Sequence, residues 1–179
     1  KLPDVTNRNA AVAIGAAVQE QTGASAAHIA ALDPLYGSTA GAQSNNIAVN
    51  MKHSATVLRI TIKNTTGAEI AGVKSLKIST ADDIQLHGTG TIDFAANEVT
   101  MGSDGSNAIT INIQNSGPIA ADGEFTVWAA AAPFTMAENS AMHFTLTTAD
   151  DKVLEYKKEF AASTDFEAGV IMSTTIAPE

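Results

Sequence analysis

Residues 54–64 read SATVLRITIKN. Leu58, Ile60 and Ile62 fall on one side of an extended backbone, and Arg59, Thr61 and Lys63 on the other. A period of two with one apolar and one charged face marks a strand lying half-buried in an antiparallel sheet. The β-branched side chains suit that pleated surface. The apolar face needs a second layer to cover it, so the expected fold class is all-β: an antiparallel β-sandwich in which most later strands pair with this one or pack on it.

The remainder of the chain repeats the pattern. Ile47, Val49 and Met51 alternate with polar or small residues, and Lys52-His53 separates them from the first long strand. Residues 64–67 (NTTG) form a turn cluster. Val73, Leu76 and Ile78 alternate imperfectly, which predicts a bulge in the strand over 73–80. Short strands are expected at 84–86 and 91–94 around His87 and Gly90, with Ala96-Asn97 as a hairpin tip returning through Val99 and Met101. Ile109, Ile111 and Ile113 give the cleanest alternation, followed by Phe125, Val127 and Ala129 up to Pro133. Met142, Phe144 and Leu146 turn at 149–152 into Leu154 and Tyr156. Residues 160–166 cross over, and Gly169 opens a last strand whose Val170, Met172, Thr174 and Ile176 share a face. Strand signals at such intervals between Gly, Asn and Asp turns argue for a sandwich.

The start of the chain is less legible. Residues 10–18 (AAVAIGAAV) fit a helix interrupted by Gly15 or a short strand through Val12 and Ile14, and the extended reading is favoured. Residues 19–23 read as a turn, and Ser25 caps a short helix over 26–32 that stops at Asp33-Pro34. The expected organisation is an N-terminal arm over 1–44 and a sandwich domain over 45–179.

The chain of 179 residues is 45% hydrophobic, enough for a core, yet only 5% aromatic and 16% charged. A net charge of −9 repels phosphate backbones, so no nucleic-acid partner is expected. The absence of cysteine excludes a disulfide scaffold and thiolate metal sites. No run of about 18 apolar residues is present to span a bilayer. The chain begins at Lys1 rather than Met, which reads as a processed or engineered fragment.

Catalytic signals are weak. His28, His53, His87 and His143 stand far apart, with no H-E-x-x-H spacing. No G-x-S-x-G elbow is present. Asp82-Asp83 and Asp150-Asp151 sit in expected turns, where adjacent carboxylates act as turn formers. Residues 104–107 offer loop oxygens to Ca²⁺ but lack the EF-hand spacing and its terminal Glu. Trp128, the single tryptophan, has two readings: a stacking surface for a sugar ring, or burial under the N-terminal arm, which is favoured. No catalytic residue, metal site or cofactor is expected.

Four stretches in order resemble the fimbrillin-like proteins of Bacteroides-type bacteria, the type V pilus subunits and related surface adhesins. They are the lead-in 19–23 with Asp33-Pro34-Leu35-Tyr36; the strand–Lys-His–strand run over 49–63; V-K-S-L-K-I followed by I-Q-L-H-G-T-G-T-I-D over 73–93; and the closing sequence from Thr110 through Pro133 and Met142 to Phe166-Glu167-Ala168-Gly169. The resemblance covers about 150 residues. It implies a transthyretin-like sandwich, export as an outer-membrane lipoprotein, and a cell-surface or fimbrial location. It also implies assembly by strand donation, in which an N-terminal strand is removed and the groove it leaves accepts a strand of the next subunit. On that reading Val12, Ile14 and Val18 belong to the arm, with Lys1 and Arg8 as places to look for processing. Val170, Met172 and Ile176 belong to the last strand beside the groove.

Two departures stand out: such pilins usually carry two sandwich domains, and the lipidated cysteine is not in this chain. The implied partners are other pilus or surface subunits and a host or bacterial surface ligand, with membrane contact only through a lipid anchor. The alternative function is a carbohydrate-binding outer-membrane lipoprotein of a glycan-uptake system, with Trp128 as its stacking residue.

Overall fold

The computed structural model describes residues 9–38, 49–81 and 83–179; the strand expected through Ile47 lies partly outside them, as does Asp82. Among the described residues the strands are, in chain order, β1 Asn9–Ile14, β2 Val18–Thr22, β3 Leu35–Tyr36, β4 Lys52–His53, β5 Thr56–Lys63, β6 Val73–Ser79, β7 Gly88–Asp93, β8 Glu98–Met101, β9 Ala108–Gln114, β10 Glu124–Ala131, β11 Phe134–Met136, β12 Ala141–Thr148, β13 Val153–Glu159, β14 Thr164–Phe166 and β15 Ile171–Ile176. One 3₁₀ turn, Ala27–Ala31, interrupts them.

The alternation in β5 becomes burial directly: Leu58, Ile60 and Ile62 are buried while Arg59 and Lys63 are exposed. β5 is the middle strand of a three-stranded sheet, antiparallel to β10 and parallel to β15. The facing sheet has the order β13-β12-β6-β9-β2, antiparallel except for the parallel pair β2–β9. Between them lie Leu76 and Ile78 of β6, Ile109 and Ile111 of β9, and Phe144 and Leu146 of β12, packed on the inner face of β5 and β10. Each such side chain contributes roughly 1.5–3 kcal/mol on burial. The protein is thus an all-β sandwich.

A second layer covers the outer face of β5 and β10. Ile14, Ile29, Ala55, Ala130 and Ala132 form a separate cluster, with Val12, Val57 and Trp128 packed against it. Ala129, Ala130, Ala131 and Ala132 are all fully buried. The small side chains let neighbouring backbone approach: the Gly15 Cα sits where an added Cβ would lie 2.9 Å from the Ala130 carbonyl. A third sheet, β1-β7-β8, extends this layer.

Residues 10–18 take the favoured extended reading, with Gly15 at φ +64° between β1 and β2. Several other local expectations change. Residues 19–23 are not a turn but most of β2; pairing with β9 overrides the weak strand preference of Gln and Glu. The helix expected over 26–32 is the 3₁₀ turn, entered through an Ala27 N–H bond to Ser25 Oγ (3.2 Å). Lys52-His53, read as a separator, is β4, whereas residues 49–51 lie outside any strand. Residues 84–86 make no strand, and pairing resumes with the His87–Ser106 bridge just before β7. The bulge appears at the β6–β12 ladder, where Thr147 pairs Ser75 and Thr148 pairs Val73, leaving Lys74 unpaired.

Candidate functional site: an open strand edge beside an apolar cleft

The two sides of the sandwich differ. On one side, β2 and β10 lie together and side chains bridge them. On the other, β13 and β15 are the marginal strands of their sheets, and no strand joins them among the described residues. A cleft of about 260 Å³ opens there. Its apolar lining comes from Leu58 and Ile60 of β5, Met142 and Phe144 of β12, Phe160, Phe166, and Met172 of β15; Lys158, Glu159, Thr164, Ser173 and Thr174 supply polar groups.

Each part has a local cause. Gly169 at φ +77° turns the chain into β15, and its N–H bonds the Ala55 carbonyl (2.8 Å). Alternation along β15 then directs Met172, Thr174 and Ile176 inward, while Ile171, at 59% exposure, faces out. The crossover from β13 is pinned by Phe166, stacked on Phe134 at 4.2 Å and edge-on to Phe160 at 6.0 Å. Lys158 Nζ lies 5.8 Å from the Phe160 ring centroid. At one end, Glu179 and Glu155 exchange two main-chain hydrogen bonds of 3.0 and 3.1 Å, tying the tail to β13. Among the described residues no strand pairs with the outer edge of β15, so the arrangement sets an open strand edge next to an apolar recess, the two things an added strand uses.

The residues singled out from the sequence separate into two groups. Met172 lines the cleft, Ile176 is fully buried below it, and Val170 stands 38% exposed at the turn before it. Val12 and Ile14 lie on β1, opposite Gly90 and Gly88 of β7, in the second apolar cluster. Val18 opens β2 with its side chain exposed. Trp128 packs half-buried on the second cluster; its Nε1–H donates to the Ala24 carbonyl (3.1 Å), and the Arg59 guanidinium lies 5.7 Å from the ring centroid.

The other titratable groups serve local structure. His53 Nδ1 bonds Asp33 Oδ2, while Asp33 Oδ1 accepts the N–H groups of Ser54 (3.1 Å) and Ala55 (2.9 Å). Burial lowers the pKa of His28, opposed by main-chain hydrogen bonds to Trp128 and Ser25. Burial also lowers that of His87, opposed by the nearby Asp104 carboxylate. Asp104 itself is lowered by hydrogen bonds to Thr89, and its Oδ1 accepts the Thr89 N–H (3.1 Å). Asp150 pairs with Lys152 (2.9 Å) and Asp151 with Lys74 (2.5 Å) around the β12–β13 turn. Among the described residues no three His, Asp or Glu side chains gather as a metal site.

Sequence reasoning missed Gln19 and Gln21, which are 2% and 0% exposed and join the sheets. The signal was an alternation in V-Q-E-Q-T whose buried face is polar.

The fimbrillin-like family profile matches residues 3–178. No curated protein matches the sequence. Among solved structures, a candidate cell adhesion protein of Bacteroides ovatus ATCC 8483 is similar at a TM-score of 0.60 and 18% identity; the match covers 99% of this chain and 60% of that one. A candidate cell adhesion protein of Bacteroides uniformis ATCC 8492 is similar at a TM-score of 0.57 and 14% identity, over 100% of this chain and 67% of that one. Both are likenesses of fold.

Proposed function

The chain belongs to the fimbrillin-like family, and we propose that it is an exported, non-catalytic cell-surface module that joins neighbouring subunits by strand donation at the β15 edge. The observation that carries this reading is the pairing of an open edge with an apolar cleft on one side of the sandwich. A strand laid along β15 would satisfy its outward backbone groups and send alternate side chains toward Leu58, Phe144 and Phe160. Family membership supports a place at the outer surface or in a fimbrium and a partner that is another pilus or surface subunit.

β1 is the candidate segment to detach on processing and be offered to the β15 edge of the next subunit, because a cut after Arg8 makes Asn9, the first residue of β1, the new N-terminus. Among the described strands it pairs only with β7, and its buried Ile14 belongs to the second cluster rather than the main core. Its detachment would leave the two facing sheets with their shared core.

The test is the mass and oligomeric state of the secreted full-length protein before and after limited trypsin. The expected result is an N-terminal cut followed by ladders that survive SDS, with Met172→Glu abolishing the ladders while the trimmed monomer stays folded. A trimmed protein that remains monomeric at high concentration would overturn strand donation and leave a free surface adhesin.

A further inference from the structure

β10 is a marginal strand, and a marginal strand ordinarily presents a row of unpaired N–H and C=O groups to any other chain. In an antiparallel ladder successive residues bond to opposite neighbours, so Phe125, Val127 and Ala129 are directed at β5 and the alternate residues outward. Side chains meet those outward groups. Gln21 accepts the Trp128 N–H through Oε1 (2.7 Å) and donates Nε2–H to the Thr126 carbonyl (2.9 Å). Gln19 accepts the Ala130 N–H through Oε1 (3.0 Å) and donates to the Ala130 carbonyl (2.7 Å). His28 Nε2 lies 3.1 Å from the Trp128 carbonyl.

A carboxamide carries the donor and acceptor of a peptide group on one planar unit. Two of them on alternate residues of a strand repeat at about 6.6 Å, the spacing of alternate residues along β10. The remaining amide hydrogens reach Ala16 O (3.3 Å) and Gly23 O (2.7 Å), so both side chains are satisfied inside the fold. Burying an amide without partners is costly, and here both glutamines are almost wholly buried. The glutamine positions therefore match the β10 edge in chemistry, spacing and burial.

We infer that Gln19 and Gln21 act as a surrogate strand that closes the β10 edge and keeps it from pairing with the same edge of a second copy of this chain. Identical edges are self-complementary in antiparallel pairing, so a second copy is the partner the lock excludes. The lock closes the β10 edge itself to strand addition. The lock concerns the side away from β15 and stands whether or not strands are donated there.

Amide hydrogen exchange of the folded protein, read residue by residue by NMR, tests it. Methionine keeps the length of glutamine without the carboxamide. The expected result is that Gln21→Met speeds exchange at Trp128 at least about tenfold and leaves Ala130 protected, while Gln19→Met does the reverse. Val127 and Ala129, directed at β5, stay protected in both. Glu20→Met, on the exposed face of the same strand, changes neither reporter. The double variant Gln19→Met/Gln21→Met is expected to form a reversible dimer in sedimentation where the unaltered protein, untrimmed, does not. Uniform exchange changes along β10, or none, would overturn the lock; a strictly monomeric double variant with fast exchange would overturn its role in excluding a second copy. If the double variant fails to fold, the crossed pattern of the single variants still decides.

Discussion

At the scale of single residues, the groups that respond to pH are the inward-turned histidines. Burial holds the pKa of His28 and of His87 below the ordinary 6.5. The unfolded chain then binds more protons than the folded one just below that value, so stability falls as pH drops from 6.5 toward the folded values. Asp104, Asp150 and Glu159 have lowered pKa values, each held down first by a side-chain hydrogen bond. Their contributions are present above the ordinary carboxylate values and are lost only at lower pH. Thermal melts between pH 7.5 and 5.5 therefore isolate the histidines: Tm is expected to decline across that range, and His28→Gln/His87→Gln to flatten the decline. Asp33 is expected to matter for a different reason. It accepts two main-chain N–H groups and the His53 ring at the entry to β5. Asp33→Ala leaves those donors without their acceptor and should cost about 2–4 kcal/mol in urea unfolding.

At the scale of elements, strands whose inner face is apolar were readable and the others were not. β5, β9, β10 and β12 each alternate and each bury the apolar set, because one face meets the facing sheet. Phe144→Ala, on the buried face of β12, should cost about 3–5 kcal/mol. Val153→Ala, on the exposed side of β13, should stay within about 0.5 kcal/mol by the same assay. β2 was read as a turn because its buried face is two glutamines, whose place in the fold depends on a strand more than a hundred residues away. The cleft was illegible for a related reason. It is assembled from β5, β12, the crossover after β13 and β15, and no local pattern marks where two sheets part. The last strand is where the sequence places it, with Met172 and Ile176 on its inward face, but it opens at Ile171 and leaves Val170 exposed at the turn before it.

At the scale of the whole molecule, net charge acts on assembly. At −9, two copies repel at long range, and salt shortens that reach to a Debye length of about 8 Å at physiological ionic strength. If strands are donated as proposed, ladder formation by trimmed protein should be faster in 150 mM than in 10 mM NaCl, measured as the initial rate of multimer appearance on SDS gels. The parallel pairing of β2 with β9 and of β15 with β5 has its own consequence, and it lies in time. Val18 meets Thr110 across 92 positions, and Val57 meets Ile171 across 114. Neither sheet can be completed by a hairpin between neighbours. A ribosome adding about 5–20 residues per second would hold β2 waiting for its partners for roughly 5–20 s. Contacts of such long range also slow folding once the chain is complete. The interval in which the polypeptide is made but not yet locked is thus built into its topology, and a threading machine acting from the N-terminus would meet a chain that has not closed.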